Sequence, residues 1–487
     1  MKRRNFVKAL STVGGSLMLP SLFGSQAWAA NSRAMRNAKA IVLGEIEYVK
    51  PTTLPQYINI FLYGGPSELA GNLSNIEDIN VNSQNAYPTN LLPSSGNTIV
   101  TANNFWGGGG NGGGGETMED MIAKGRMSIY RTINRIKDDT KAHRPSIFSN
   151  LTGQVGEEDI RPGIATVLAA VLSANNVIGD NAVFPFVTFE GESVIFNGGD
   201  MDIPLVLKPV SLDQDLRNPY QRVNNTYVSG QNGTDPALLD SSVNTQIENL
   251  AQSIASSQNE RFGKVVAALN KRSELNDFIN GLDLDVADAA MPFDPDDPAT
   301  QLVYPDTNFG RRLRAAVNLA ANNSDSSFLS LGSGGLGGWD DHDSGVDANR
   351  YPQRVRRLMD ALNVAGKHLE ALGKTNVFIT VYGDFGRNVN LNNSMGWDHG
   401  NNQNLYTVSG SGIAGRQLGK IVGKTQRIGQ TKVNRQFTSP TDDSYQCEPF
   451  SIASMIFKYF GVQNPEVITG EPVIDENATN EWVDPNA

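Results

Sequence analysis

Two runs constrain the fold more than anything else in this chain: QYINIFLY (56–63) and NVFITVY (376–382), each apolar with little alternation and each ending at glycine. A strand with one wet face alternates polar and apolar residues, whereas one covered on both faces reads as a continuous apolar run. RMSIYRTI (126–133), VFPFVTFEG (183–191), SFLSLGSGG (327–335) and LYTVSGSG (405–412) read as further strands. Between them lie helical patterns: PGIATVLAAVLSANN (162–176), about 309–322, about 350–373 and EPFSIASMIFKYFG (448–461). A polar amphipathic stretch over roughly 240–281 reads as one or two more helices. Strands alternating with helices predict an α/β fold, a mainly parallel sheet with helices on both faces. In such sheets ligand groups gather at the carboxyl ends of strands, so the loops after residues 63, 331 and 382 are the ones to search.

Irregular insertions are expected around 103–116 and 196–300, with residues 30–487 forming one domain. WGGGGNGGGG (106–115) reads as a surface insertion that cannot pack, and the polar stretch 196–240 as a lid or excursion. The C-terminal DENATNEWVDPNA reads as a polar tail.

The first 29 residues read as a leader. Arg3 and Arg4 precede a short, weakly apolar stretch, and AWAA offers a cleavage site after Ala29. Twin arginines point to Tat export of a folded chain; a Sec signal or a short anchor is the alternative. The stretch is too short and too broken by Gly and Ser to span a bilayer, so the chain is not expected to be an integral membrane protein. The expected destination is periplasmic or extracellular. Cys447 is the only cysteine, which excludes an internal disulfide, and it reads as a small core residue in a helical context. The formal charge of −11 argues against nucleic acid and anionic membrane surfaces as partners, the more so because Lys2, Arg3, Arg4 and Lys8 lie in the leader.

Two nucleotide-like patterns fall away on inspection. GSGIAG (410–415) follows a strand, but a basic, glycine-broken stretch stands where a helix should follow. GKIVGKT (419–425) has too few residues between its glycines for a phosphate-binding loop, and both patterns read as hairpin turns.

GGWDDHDSG (337–345) is more informative, because Asp340, Asp341, His342 and Asp343 stand together after a strand. An acid and a histidine two residues apart can face one side of an extended loop and share a cation; Zn, Mn, Mg or Ca would suit. A solvated acidic turn capping the next helix is the alternative. VYGDFGRNVNLNNSMGWDHG (381–400) adds Asp384, Arg387, Asp398 and His399 to a second strand end. Two of the chain's four histidines therefore stand beside acids in such loops. His368, in AGKHLEALG, reads as a surface helix residue, while His143 lies with Arg144 and Ser146 ahead of a possible helix.

In order and spacing, GGWDDH, VYGDFGR and GWDHG resemble the G-W-D-x-H, G/S-E-F-G-R and D-H-G/W blocks of a bacterial exported family, domain of unknown function 1501. FLYGGPSEL resembles its first strand and loop, and GRMSIYRTINR…HRPS…TG its second block, so the likeness spans roughly 55–465. The resemblance implies an alkaline-phosphatase-like or sulfatase-like α/β fold with metal ligands on loops after strands. It implies Asp340, His342, Asp384, Asp398 and His399 as metal ligands, Arg387 as an anion holder, and His143 and Ser146 as catalytic candidates. A divalent cation and a small anionic ester of phosphate or sulfate, or a cell-envelope component, follow as cofactor and partner. The chain departs from the pattern at Glu68 and Ala70, which stand where the family carries His and Asp, and at Asp384, which replaces a glutamate. A non-catalytic exported binding or cell-surface assembly protein is the alternative reading.

Overall fold

A computed structural model of the chain describes residues 45–66, 114–137, 141–155, 161–178, 182–199, 201, 207–212, 246, 249, 253, 291–345, 347, 350–410, 418–427 and 438–478. The leader, most of the glycine run, Glu68, Ala70, most of the stretch 240–281 and GSGIAG beyond Gly410 lie outside these residues.

The central strands are β1 (Gln56–Leu62), β7 (Phe328–Gly332) and β8 (Val377–Gly383), the runs that read as apolar throughout. Parallel to one another, they pair Ile58 with both Leu329 and Ile379. Beyond β7 the sheet continues, still parallel, through β3 (Phe186–Thr188) to β4 (Val210–Ser211). Beyond β8 come β11 (Asn402–Val408), β2 (Met127–Asn134) and the edge strand β12 (Ile421–Val422), completing eight strands. The sheet is mixed because β11 runs antiparallel to both its neighbours, while the remaining pairings are parallel.

Alternate residues of β1 supply two cores. Ile58, Ile60 and Leu62 pack on one face with α4 (Asn308–Asn322) and α5 (Tyr351–Ala371), beside α1 (Gly115–Ala123). Tyr57 and Phe61 pack on the other with α3 (Ile164–Ala174) and α6 (Ser451–Tyr459). Burial of each such side chain contributes about 1.5–3 kcal/mol, and both faces must be covered for these strands to lose water. Two further helices, α2 (His143–Thr152) and α7 (Glu466–Thr469), complete the seven among the described residues.

Several local expectations change. The end of the glycine run packs: Gly114 (φ +81) and Gly115 are buried and open α1, with a Cβ on Gly114 only 3.0 Å from the Cα of Arg356. A glycine run carries no periodicity, so this helix start left no trace in sequence. His368 is not a surface residue but 2 % exposed on α5, with Nδ1 3.2 Å from the Tyr304 hydroxyl. Cys447 precedes α6 instead of lying in a helix. It bridges to Ile133, and burial pushes its thiol up to about 12. The acidic PFDPDDP turn forms a hairpin of β5 (Phe293–Asp294) and β6 (Asp297–Gln301). GKIVGKT places left-handed Gly419 and Gly423 on either side of β12, which runs parallel to β2 and so is not a hairpin arm. No helix among the described residues is long and apolar enough to cross a membrane.

Candidate metal centre

The loops at the carboxyl ends of β1, β7 and β8 meet above the sheet. Gly64 (φ +115) follows β1, and a Cβ there would lie 2.6 Å from the Asp340 amide nitrogen, so only glycine admits the loop after β7. That loop is pinned to β10 (Trp397–Gly400), which forms a hairpin with β9 (Gly386–Leu391). Trp397 donates its backbone N–H to Asp341 at 2.8 Å, and a Cβ on Gly396 would sit 2.3 Å from His342. The backbone turns tightly here, the Asp341 N–H donating to the Trp339 carbonyl at 3.0 Å, and the side chains part to different sides. Asp341 turns inward to an ion pair with Arg354 of α5, whose guanidinium also lies over the Trp339 ring. Asp340 and His342 face the other way.

There they meet His399 of β10 and His143 at the start of α2. One ligand atom from each of His143, Asp340, His342 and His399 lies within 4.8 Å of the other three. The Nε2 atoms of His342 and His399 are 2.8 Å apart, and the Asp340 carboxylate stands 3.3 Å from His342 Nε2 and 3.5 Å from His143 Nε2.

The outer nitrogens set the tautomers. His143 Nδ1 lies 2.7 Å from Asp384 Oδ2, so it carries the proton and leaves a lone pair on Nε2. That Nε2 is buried and has no hydrogen-bond partner. His399 Nδ1 donates to the Lys141 carbonyl, again directing a lone pair inward. An imidazole whose second N–H is held by a carboxylate or carbonyl is the usual arrangement around a bound metal. Burial lowers the His399 pKa to about 4 and keeps the ring neutral, whereas the hydrogen bond to Asp384 raises that of His143. For Asp340, burial opposes ionisation but Arg387 outweighs it, and the carboxyl falls below its usual range. Three nitrogens and one carboxylate oxygen fit zinc or another first-row transition ion far better than the oxygen cages of Ca²⁺ or Mg²⁺.

The other residues singled out in the sequence surround this cluster. Asp384 is fully buried; its second oxygen accepts the Gly64 N–H at 3.1 Å. Its backbone is tied down by Asn150 Nδ2, which donates to the Gly383 and Asp384 carbonyls at 2.8 and 2.9 Å, and by Arg135. Asp398 stands 3.9 Å from His342 Nδ1 and accepts from Asn392 at 3.2 Å. Arg387 has no exposed surface, and its guanidinium donates to the carbonyls of Gly65, Trp397 and Gly64 and to Asp340. Ser146, one turn along α2 from His143, is also fully buried. Asn150, Arg135, Asn392 and the Lys141 carbonyl support the cluster without any sequence signal, because polar residues are common in helices and loops.

Fold and site together define an α/β protein with a histidine–aspartate cluster able to hold a metal ion at the carboxyl edge of its sheet. The chain belongs to the family described as "Protein of unknown function (DUF1501)", whose model matches residues 56–442. No curated protein matches it. Among solved structures it is similar to Ps i-CgsB in complex with k-i-k-neocarrahexaose, at 12% identity and a TM-score of 0.34, over 88% of this chain and 76% of that one. It is also similar to BT4656 in complex with its substrate D-glucosamine-2-N,6-O-disulfate, at 9% identity and a TM-score of 0.27, over 88% of this chain and 82% of that one.

Proposed function

We propose that this chain is an exported, metal-dependent hydrolase of phosphate or sulfate esters on an alkaline-phosphatase-like fold. In this reading residues 1–29 are a Tat signal and the mature protein works in the periplasm or outside the cell. The observation that carries it is the convergence of three imidazoles and Asp340, with His143 Nε2 buried, without a hydrogen bond, and 3.5 Å from the Asp340 carboxylate. His143, Asp340, His342 and His399 would hold the cation, and the ligand set inferred from motifs alone is thereby redrawn. Asp384 becomes the carboxylate that orients His143, and Asp398 stays beside His342. Arg387 holds Asp340 in place instead of gripping the substrate, since its guanidinium is spent on three carbonyls and that carboxylate.

A bound cation would supply Lewis acidity toward a phosphoryl or sulfuryl oxygen. Hydrolysis breaks the bond between phosphorus or sulfur and the ester oxygen; water gives its hydroxyl to the acid and its proton to the departing alcohol. Ser146 has no exposed surface and would have to leave the core to attack, so this reading takes water as the nucleophile in its place. The open side of the site suits such a reaction, with the Asp340 and His342 side chains 50% and 46% exposed.

The burial of Arg387 also favours a second reading, a binding protein that keeps the metal and has lost turnover. Metal analysis of the purified full chain, then a panel of phosphate and sulfate monoesters, separates the two. The hydrolase requires about one transition ion per chain and ester cleavage that stops on chelation. Metal without cleavage leaves the binding protein, and a chain that takes up no metal sinks both.

A further inference from the structure

A cavity of about 840 Å³ opens at the carboxyl ends of β3 and β4, away from the histidine cluster, which contributes none of its lining. Its walls include Phe148 of α2, Thr188 at the end of β3, Ser193, Phe196, Asn197 and Ser211 at the end of β4. The geometry points to a binding pocket for an uncharged, polyhydroxylated ring of pyranose type, the organic body of the ester whose charged group goes to the metal centre.

Three features select that occupant. Phe148 and Phe196 put two aromatic rings in the lining, the kind of surface on which the C–H face of a sugar stacks, with Phe196 held at 85° to the Phe328 ring. Thr188, Ser193 and Ser211 line the same cavity. Ser193 lies beside Glu190 and Tyr63, and Thr188 Oγ1 donates to the Gly191 carbonyl at 2.8 Å and accepts the Glu190 N–H at 3.3 Å, which leaves that hydroxyl one lone pair for a ligand. Charge favours a neutral ligand: the described lining residues include Glu192 and no Lys or Arg, and the cation nearest the Phe148 wall, Arg144, stands over that ring at 5.3 Å from its centroid. Anionic and neutral parts of one ligand would thus sort to different ends of the same edge.

The two sites share that edge. Only β7 separates β3 from β1 in the sheet, so two strand spacings, about 10 Å, divide the pocket's floor from the loop that carries Gly64. Ligands of open α/β sheets bind along this carboxyl edge. The wall between is polar: Glu190 accepts from Ser330 Oγ at 2.8 Å, and a Cβ on Gly332 would lie 2.2 Å from Glu190 Oε2 and 3.1 Å from the Tyr63 ring.

The inference rests on the hydrolase reading for where the ester group lies, but pocket occupancy is measured independently of it. The full chain is titrated with methyl glucopyranoside and methyl galactopyranoside, both uncharged, followed by saturation-transfer NMR. The comparison variants are Phe196→Ala, Gly198→Trp and His342→Ala. A Cβ at Gly198, which lines the cavity, would meet nothing nearer than the Met201 carbonyl at 3.9 Å, so Gly198→Trp adds bulk at the cavity wall without a backbone clash. Millimolar binding is expected in the parent, weakened about tenfold or more by Phe196→Ala and Gly198→Trp. His342→Ala should lose metal and keep pyranoside affinity, so a failed metal centre and a failed pocket give different patterns. Absence of binding in the parent, or equal binding by the Gly198→Trp protein, overturns the assignment.

Discussion

His143 and Asp384 are 241 residues apart in sequence, yet Nδ1 of one lies 2.7 Å from Oδ2 of the other, joining a partly exposed imidazole to a fully buried carboxylate. This contact fixes which imidazole nitrogen faces the cluster. Asp384→Asn keeps the size of the side chain and an oxygen for the Gly64 N–H while removing the charge. It should lower metal affinity by about 10–100-fold, the usual effect of losing such a support. Competition with a chromogenic chelator reads this directly, and unchanged affinity would mean that Asp384 does not support a metal ligand.

The Asp341–Arg354 pair holds the loop that presents Asp340 and His342, and its side chains are only 4% and 13% exposed. Burial pushes the Asp341 carboxyl up even with Arg354 beside it, so removing the arginine leaves a costly buried acid. Arg354→Met should destabilise the protein by about 3 kcal/mol. Adding Asp341→Asn should restore part of that loss in urea denaturation, and strictly additive effects would show that the two do not act as a pair.

His368 makes stability fall in mild acid. Burial holds its folded-state pKa at about 4, against an unfolded value of about 6.5. The neutral ring is favoured in the fold, so its contribution is fully present above pH ~6.5 and lost as pH falls toward 4, to the extent of about 3 kcal/mol. His368→Asn should flatten this part of the stability profile while keeping an acceptor toward Tyr304. An unchanged slope would remove His368 as its source.

Asp296, in the turn between β5 and β6, ties the hairpin to the body. It accepts from Arg126 at 2.7 and 2.8 Å and pairs with Lys124 and Lys367 at 2.8 and 3.0 Å. The Arg126 hydrogen bond depresses its carboxyl pKa, so this contribution is fully present above the unfolded value of about 4 and is lost progressively as pH falls from there toward the lower folded value. With the carboxylate 22% exposed, Asp296→Asn should cost about 2 kcal/mol at neutral pH, between surface and buried pairs. Thermal unfolding at pH 7 and pH 3 checks it: the deficit should shrink at the lower pH, and a pH-independent deficit would contradict it.

The sequence by itself determined the central strands and which loops hold the polar groups. Continuous apolar runs ending at glycine are local patterns, legible because a strand covered on both faces has no wet side to encode. Asp340, His342 and His399 were legible for the same reason, since polar clusters at the ends of such runs have no packing role. Only tertiary structure decided what each group does. His143 joins the cluster because Asn150 and Asp384 bring the start of α2 against β8, and Arg387 turns inward because the Gly64 and Gly65 carbonyls close around it. His368 is neutral because Tyr304 and the helix packing bury it. Periodicity records which face of an element is apolar; it does not record which distant carbonyl or carboxylate will meet a given nitrogen, and that meeting sets charge, tautomer and ligand set.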